Sequence, residues 1–135
     1  MLLMLLSAVE VVSFNIRYNN PSDGKNAWVH RKDTVETYLA QSRADFIGLQ
    51  EVLPSQLADL KPKLSDYNLI SRTREAEEGK GESAPLLYRQ DRWRVDDSHH
   101  GTMWLSTKPN KPGSKSWDSS LPRICTWGRF ERIGK

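Results

Sequence analysis

The residues best suited to chemistry stand at the end of a short apolar segment, residues 44–51. Phe46, Ile47 and Leu49 leave this segment without a polar face, as expected for a strand that is covered on both sides. Open α/β sheets bind their ligands beyond the carboxyl ends of the strands, which is where Glu51 stands. Glu51 is therefore a candidate ligand-binding carboxylate. The alternative is that Glu51 is a solvated strand end or caps the helix that follows.

Asn15 is predicted to lie at the same end of the sheet as Glu51. Residues 9–16 are rich in β-forming side chains and predict a first strand. Residues 27–43 predict an amphipathic helix with Asn26 as its N-cap. A strand, a helix and a strand over this length predict a βαβ unit with a right-handed crossover, so the two strands run parallel. The predicted buried stripe of the helix comprises Trp28, Val35, Tyr38, Leu39 and Ser42.

The rest of the chain predicts one more helix and a series of short strands. Pro54 suits the first turn of a helix, because its missing N–H costs nothing there, and Pro62 ends or kinks that helix. Leu57, Leu60 and Leu64 mark its buried face. The sequence predicts a single α/β unit, with a βαβ start followed by meandering mixed or antiparallel strands. The predicted strands are 67–71, 83–88, 93–95, 102–105 and 124–133, with a turn at 89–92 and exposed loops at 73–82 and 108–120.

The composition is that of a soluble globular protein with one modest core. The chain has 135 residues, of which 37% are hydrophobic and 27% are charged, and these fractions argue against wholesale disorder. The net charge is +3, and the excess of Lys and Arg lies in residues 91–135. A basic second half tolerates a phosphate-bearing ligand, although most such excesses are solvated surface. The single cysteine, Cys125, excludes an intrachain disulfide.

The first residues form a separate apolar segment, 1–8, ahead of the first strand. Its apolar run, 2–6, is too short for a transmembrane helix, so no membrane-spanning segment is predicted. No Lys or Arg precedes the run, unlike the charged front of a signal peptide. The segment is interpreted either as the remnant of a signal or as a start just before the first strand, and it indicates no particular compartment.

Four short segments, in a defined order and spacing, carry the most specific pattern in the chain. They read SFNIR at 13–17, DFIGLQEV at 45–52, GTMWLS at 101–106 and LPRICTW at 121–127. As an ordered set, these segments resemble the N-terminal half of the exonuclease/endonuclease/phosphatase superfamily, which has the deoxyribonuclease-I-like fold. The resemblance runs from residue 9 to the end of the chain. Smaller matches lie at Trp28, 31–32, Tyr67, Arg74, 81–82, 87–89, Pro109 and 117–118.

The resemblance implies a fold and a chemistry. The fold is half of a four-layer α/β/β/α sandwich, and the chemistry is the metal-assisted hydrolysis of phosphate esters. By resemblance, Glu51 binds a divalent cation, Mg²⁺ or Mn²⁺, and Asn15 is a catalytic residue beside it. Magnesium prefers hard oxygen ligands and needs only one or two carboxylates together with waters and substrate phosphate. The implied partner is a phosphate-ester substrate: a nucleic acid, a sugar or inositol phosphate, or a lipid head group.

Three further residues are implied to bind the substrate or its phosphate: Arg123, Arg74 and Glu82. Arg123 follows a proline-bearing loop and opens a strand, and its guanidinium fork matches phosphate oxygens. The alternative for Arg123 is a surface ion pair. The alternative for Arg74 and Glu82 is an ordinary solvated position in a charged loop.

The sequence lacks the later motifs of the family. A His-containing strand, a Gly-Asp-x-Asn turn and a terminal Asp-His pair, which supply further metal ligands and the acid/base groups, are absent. Family domains are about twice this long, because two packed sheets are needed to cover the core. We therefore expect residues 9–135 to be part of a phosphoesterase domain that is truncated at its C-terminus and inactive by itself. In such a half-domain, Trp104, Trp127, Phe130 and their neighbours should include unusually exposed apolar residues.

Two other interpretations stay open beside the incomplete enzyme. One is a half-domain that binds phosphate ligands or a partner without catalysis, and the other is an unrelated small α/β domain. The three histidines do not point to a metal site, because they lack the spacing of metal ligands. His99 and His100 are adjacent, so on a strand they point to opposite faces.

Overall fold

A parallel pair of strands joined by a helix opens the fold. In the computed structural model, which describes residues 8–134, β1 (Val11–Asn15) and β2 (Phe46–Gln50) are parallel neighbours. The helix α1 (Trp28–Ser42) connects them. The register puts the carboxyl ends of the two strands side by side, and the predicted βαβ unit is confirmed.

A short helix and four strands follow. One sheet has the order β1-β2-β4-β3, with β4 antiparallel to both of its neighbours, while β5 and β6 form a separate antiparallel hairpin. The helices, the four-stranded sheet and the hairpin make a mixed α/β fold, which matches the expected sandwich fold at half-domain size. The later elements are α2 (Pro54–Leu60), a 3₁₀ turn (Lys61–Lys63), β3 (Tyr67–Ile70), β4 (Leu86–Arg89), β5 (Trp93–Trp104) and β6 (Ile124–Arg132).

The central strand β2 is covered on both faces. Ile47 and Leu49 are buried in one core cluster with Val35 and Leu39 of α1. Phe46 points to the opposite face, where its ring centroid lies 4.9 Å from that of Phe130 in the hairpin. Burial of both faces explains why the sequence of β2 has no polar stripe.

The hairpin approaches the sheet closely through side chains of β3, β4 and β6. The ring centroids of Tyr88 and Phe130 are 5.0 Å apart. At Gly128, an added Cβ atom would meet Cδ1 of Ile70 at 2.9 Å, which is closer than real Cβ contacts. A larger residue at this position would therefore push the hairpin away from the sheet.

The expectation that Trp104, Trp127, Phe130 and their neighbours include exposed apolar residues is confirmed by Trp127 and by Leu105. Trp104 is only 3% exposed, and its indole N–H donates to the carbonyl oxygen of Arg74 at 2.7 Å. Phe130 is half-buried between the layers, whereas Trp127 on the outer face of β6 is 39% exposed. Trp104 is buried because the loop between β3 and β4 covers it, and a strand pattern does not reveal a covering loop.

The hairpin also differs from the predicted strand pattern. The strands predicted at 93–95 and 102–105 are one continuous strand, β5. Its pairing with β6 shifts register between Val95 and His100, and this irregularity absorbs the polar residues that separate the two predicted strands. Arg89, predicted to lie in a turn, is the last residue of β4.

The start of α1 lacks the expected cap. Ala27 occupies the N-cap position without a side-chain hydrogen bond, whereas Asn26 ends a 3₁₀ turn (Pro21–Asn26). Tyr38, predicted to belong to the buried stripe, is 53% exposed. Its ring packs edge-on against Phe14, with 5.6 Å between the ring centroids.

The longest helix, α1, has 15 residues. Within residues 8–134, no helix is long and apolar enough to cross a membrane. Apart from Ala8, the predicted apolar segment 1–8 lies outside the described residues.

A buried carboxylate fastens the end of the sheet opposite to Glu51. Asp45 is 1% exposed and accepts hydrogen bonds from the backbone N–H of Glu10 at 3.0 Å, the indole N–H of Trp93 at 2.9 Å and the guanidinium of Arg92 at 3.2 Å. Burial by itself raises the pKa of Asp45, but the three donors outweigh it and hold the pKa below its ordinary value. In its ionised form the carboxylate joins the start of β2 to the regions around β1 and β5.

We expect the substitution Asp45→Asn to lower the free energy of unfolding by about 2 kcal/mol, because hydrogen bonds to a buried charged group are worth roughly that much. The folded-state pKa of Asp45 lies below the unfolded-state value. Its contribution is therefore present above the unfolded-state pKa and is lost as the pH falls through the folded-state pKa. Urea unfolding from neutral pH down to about pH 2 measures both effects. Asp33→Asn, at an exposed position of α1, is the control, and an equal loss in both variants would contradict the role of Asp45.

Candidate active site

The carboxyl ends of β1 and β2 bring two predicted site residues into direct contact. Asn15 donates from Nδ2 to Oε1 of Glu51 at 2.9 Å. The Oδ1 atom of Asn15 accepts from the backbone N–H of Arg17 at 2.8 Å, and the backbone N–H of Tyr18 donates to Oε2 of Glu51 at 3.2 Å. Both carboxylate oxygens of Glu51 are thus oriented by β1 and the loop that follows it.

Two residues at this rim have a left-handed backbone. Arg17 and Glu51 both have φ of 60°, a region that residues other than glycine enter at a cost of roughly 1–3 kcal/mol. The guanidinium of Arg17 makes two hydrogen bonds of 2.9 Å to Asp23, which hold the first turn in place. At Glu51 the left-handed residue directly follows β2, at the point where the carboxylate meets Asn15.

The surroundings of Glu51 favour its ionised form. The hydrogen bond from Asn15 is the strongest influence and lowers the pKa of Glu51. Burial acts in the opposite direction, while the backbone N–H of Tyr18 and the charges of Arg17 and Arg74 lower the pKa further. The pKa of Glu51 therefore lies below the ordinary value of a glutamate, and the carboxylate is ready to bind a cation at neutral pH.

A fully buried amide, Gln56, joins the two loops that follow β1 and β2. Its Nε2 donates to the carbonyl oxygen of Arg17 at 2.8 Å, and its Oε1 accepts from the backbone N–H groups of Asn19 and Leu53, each at 3.1 Å. Gln56 is 0% exposed, so these backbone groups find in it the partner that water cannot provide. One side chain thereby fixes the separation of the loops that position Asn15 and Glu51.

The loop between β3 and β4 closes beside Glu51. Ser83 and Val52 exchange backbone hydrogen bonds of 2.8 and 3.1 Å, and the hydroxyl of Ser83 donates to the carbonyl oxygen of Val52 at 2.9 Å. Within the loop, Nη1 of Arg74 donates to Oε2 of Glu82 at 2.8 Å. Because Val52 directly follows Glu51, these bonds hold the Arg74–Glu82 pair next to the carboxylate.

The hairpin contributes Arg123, which stands just before β6. Its side chain is exposed, and its carbonyl oxygen accepts from the backbone N–H of Leu105 at 2.7 Å. Within the part of the chain that the structure describes, Arg123 forms no ion pair. The alternative of a surface ion pair for Arg123 therefore finds no support in the described residues.

All five residues singled out from the sequence line one cleft of about 340 Å³. The strand ends provide Asn15 and Glu51, the loop between β3 and β4 provides Arg74 and Glu82, and the hairpin provides Arg123. Three separate parts of the chain therefore converge on one place, although they are far apart in the sequence.

The cleft contains donors suited to an anion as well as a carboxylate. The Nε atom of Arg74 is buried and makes no hydrogen bond within residues 8–134, although the Glu75 carboxylate lies 3.5 Å away. The guanidinium of Arg74 also lines the cleft, and a guanidinium group is suited to an oxyanion such as phosphate. Arg74 and Arg123 thus supply positive charge to the same cleft as Glu51.

The donors at the rim also fit a hard divalent cation. Within residues 8–134, no group of three or more His, Cys, Asp or Glu side chains is arranged to hold a metal ion. A magnesium ion needs only one or two carboxylates, because waters and substrate phosphate complete its shell. Each oxygen of Glu51 accepts one hydrogen bond and keeps further acceptor capacity, so this carboxylate suits a largely hydrated cation.

None of the three histidines lines the cleft. On β5, Nδ1 of His99 lies 2.8 Å from Oδ2 of Asp96, and both the hydroxyl and the backbone N–H of Ser98 donate to Oδ1 of the same Asp96. These bonds lower the pKa of Asp96 to about 2, and the bond from the Ser98 hydroxyl has the largest effect. The group accompanies the irregularity of β5 and is separate from the site.

Sequence reasoning missed Gln56 and the left-handed Arg17. A partial signal for Gln56 is its place in the first turn of α2, where a glutamine can accept from the N-cap backbone N–H. Its bonds to Arg17 and Asn19 depend on the tertiary approach of two loops, which no local pattern reveals.

A model of the Endonuclease/Exonuclease/phosphatase family matches residues 12–134. The chain belongs to this family. The matched region contains the strand ends and both of the loops that form the cleft. The family resemblance of the sequence and the fold it implied are thereby confirmed.

Solved structures of the family align along nearly the whole chain. An endonuclease/exonuclease/phosphatase from Bacteroides vulgatus is 40% identical with a TM-score of 0.86, over 92% of this chain and 47% of its own. A mannosyl-6-phosphatase from Bacteroides thetaiotaomicron is 35% identical with a TM-score of 0.84, over 93% of this chain and 46% of its own. Among relatives compared by sequence, an uncharacterized protein of Acanthamoeba polyphaga mimivirus is 31% identical, over 85% of this chain and 19% of its own. The chain thus spans about half the length of its solved relatives.

We expect Asn15→Ala to raise the pKa of Glu51, because the substitution removes the hydrogen bond that most strongly favours the ionised carboxylate. Carboxyl ¹³C chemical shifts of Glu51, followed by NMR over an acidic pH series, measure the change. Gln50→Ala is the matched control, since Gln50 also lines the cleft but donates to Gly48 rather than to Glu51. An unchanged pKa in Asn15→Ala would show that Asn15 does not tune the carboxylate.

We expect Gln56→Leu to lower the free energy of unfolding by about 3 kcal/mol, because several buried backbone groups lose their partner. The loss should be local as well as global: amide exchange at Asn19 and Leu53 should accelerate more than exchange in β4. Urea unfolding and hydrogen exchange measure both. Gln90→Leu, which removes an exposed bond to Ser65, is the control and should change stability little. Uniform acceleration across the whole chain would argue against a local brace.

Proposed function

We propose that the chain is the cation- and phosphate-binding half of a metal-dependent phosphoric ester hydrolase. The observation that supports this most directly is the single cleft in which the ionised carboxylate of Glu51, the amide of Asn15 and the guanidinium groups of Arg74 and Arg123 converge. The membership of the chain in the family gives the cleft a chemical context.

In this proposal Glu51 holds Mg²⁺ or Mn²⁺. The cation, when bound, neutralises negative charge on the phosphoryl oxygens of the substrate. Asn15 holds Glu51 in position through its Nδ2 bond, and as a neutral amide it approaches a water or phosphate oxygen without adding repulsion. The 2.9 Å contact between Asn15 and Glu51 supports the positioning of the carboxylate, and the approach of Asn15 to the substrate is an extension of it.

Arg123 and Arg74 bind the phosphate in this proposal. Arg123 has no ion pair within the described residues, so its guanidinium fork is available to an oxyanion. Glu82 acts on Arg74 through their 2.8 Å bond and fixes the direction of its guanidinium. Arg74 then presents its positive charge at the lining of the cleft.

We further propose a sugar phosphate as the substrate. The support is the 35% identity to the mannosyl-6-phosphatase over 93% of this chain. That relative is about twice as long as the part matched here, so the substrate of the complete domain remains part of the proposal.

Catalysis in this proposal requires a complementary half. Residues 9–135 are taken as the N-terminal part of a domain, and a positioned acid or base from the other part would contribute a factor of roughly 10²–10⁴ in rate. Within residues 8–134 the cleft contains no histidine, and Glu82 is held by Arg74. The same observation favours the second candidate function, a half-domain that binds phosphate ligands or a partner without turnover.

We expect the 135-residue chain alone to hydrolyse no phosphate ester above a Glu51→Ala control. Extended by the C-terminal half of the Bacteroides vulgatus relative, it should show metal-dependent turnover that EDTA removes and Glu51→Ala abolishes. Hydrolysis of sugar phosphates and of a generic phosphodiester in Mg²⁺ or Mn²⁺ measures both.

Three outcomes separate the candidates. EDTA-sensitive turnover by the chain alone, lost in Glu51→Ala, would show that the chain carries its own acid and base groups. Full activity of Glu51→Ala in the extended protein would remove the metal role of Glu51. A soluble, cooperatively folded extended protein that binds phosphate and turns nothing over would favour the non-catalytic half-domain.

A further inference from the structure

The loop 106–121, which joins β5 to β6, starts and ends at the cleft. Leu105 before the loop and Pro122 after it both line the cleft. The backbone N–H of Leu105 donates to the carbonyl oxygen of Arg123 at 2.7 Å, so the two ends of the loop are fastened together beside the proposed phosphate ligand Arg123. Side chains displayed near the base of this loop therefore stand beside the cleft.

Side-chain bonds brace the loop internally. The hydroxyl groups of Ser106 and Ser114 are 2.7 Å apart, and the backbone N–H of Thr107 donates to Oγ of Ser116 at 3.0 Å. At Gly113, an added Cβ atom would lie 2.8 Å from the backbone nitrogen of Ala76. The loop 106–121 therefore also packs tightly against the loop between β3 and β4. The loop is therefore a preformed structure and needs little ordering when a ligand binds.

The loop displays an indole that packing does not explain. Trp117 is 73% exposed, the largest exposed fraction among the bulky apolar side chains within residues 8–134. Trp117 and Asp118 have φ of 55° and 58°, which places two consecutive non-glycine residues in the left-handed region. Such strain persists where the surrounding structure imposes it and is concentrated at functional sites.

The hydrogen bonds of the loop place Trp117 near the cleft. Its neighbour Ser116 is bonded to Thr107, and Thr107 stands two residues after the lining residue Leu105. Trp117 is thus anchored at the base of the loop, which adjoins the end of the cleft formed by Leu105 and Pro122. An exposed aromatic face beside a polar cleft is suited to a ligand that has one charged end and one apolar face.

We propose that Trp117 is the ring-binding subsite of the cleft and stacks on the C–H face of a sugar whose phosphate is bound by Arg123 and Arg74. A sugar ring presents such an apolar face between its hydroxyl groups, and the rigid indole contacts it at little cost in conformational entropy. The inference rests on the proposed function, because it requires a phosphate in the cleft. The inference adds Trp117 to the proposed function as the residue that selects the alcohol part of the phosphate ester.

Ligand-observed NMR with the 135-residue chain in Mg²⁺ tests the subsite. The probes are inorganic phosphate, glycerol 3-phosphate and mannose 6-phosphate, which share the phosphate and differ in what it carries. We expect mannose 6-phosphate to bind roughly five- to tenfold more tightly than glycerol 3-phosphate, the range that a stacked ring supplies. Saturation transfer from the protein should be strongest at the ring C–H protons of the sugar.

Three variants identify the residue that is responsible. Trp117→Ala should remove the preference for the sugar phosphate while leaving the affinity for inorganic phosphate unchanged, and Trp117→Phe should keep most of the preference. Trp127→Ala is the matched control, because Trp127 is an exposed indole on the outer face of β6 and does not line the cleft. Equal melting midpoints of all variants exclude a loss of fold, since Trp117 is largely exposed.

The outcomes separate this inference from the proposed function. If the wild-type chain binds no inorganic phosphate, or binds it equally in an Arg123→Ala variant, the proposed function fails. If phosphate binds through Arg123 but mannose 6-phosphate gains nothing over glycerol 3-phosphate, or keeps its gain in Trp117→Ala, the ring-binding subsite fails. A Trp117-dependent gain that is larger for adenosine monophosphate than for mannose 6-phosphate would assign the subsite to a base and overturn the sugar.

Discussion

The parallel register of β1 and β2 is the constraint on which the site depends. It places Asn15 beside Gln50, so the residue that follows Gln50 meets the Asn15 amide at 2.9 Å. A slip of one residue would send the Asn15 side chain to the other face of the sheet, because successive residues of a strand alternate. The register is secured by burial on both faces of β2, with helices on one side and the hairpin on the other.

The loops that follow these strands are also held in place, and they carry the charged groups of the cleft. Gln56 holds the loops after β1 and β2 together, and Ser83 fastens the next loop to Val52. The side chains of Gln56 and Ser83 are buried, and their hydrogen bonds satisfy backbone groups that would otherwise lack partners. Neutral hydrogen bonds therefore position the loops, while the ion pair between Arg74 and Glu82 orients the guanidinium within its loop.

The βαβ start and the rim with Asn15 and Glu51 could be predicted from the sequence, because apolar periodicity and the handedness of crossovers are local rules. The convergence of Arg74, Glu82 and Arg123 came from family resemblance, since no periodicity relates a loop to a distant hairpin. The brace at Gln56 and the burial of Trp104 could not be predicted. Gln56 and Trp104 each donate to a backbone carbonyl group of a loop distant in the sequence. The local sequence pattern does not indicate such partners.

The buried Asp45 has a consequence for how the protein tolerates change. Asp45 and Glu51 stand at opposite ends of one short strand, about 20 Å apart at the usual rise per residue. That separation is about twice the Debye length at physiological ionic strength. Asp45, which fastens the fold, and Glu51, the proposed cation ligand, are therefore carboxylates whose charges hardly interact. Substitutions that reinforce the Asp45 end can accumulate without altering the electrostatic potential in the cleft.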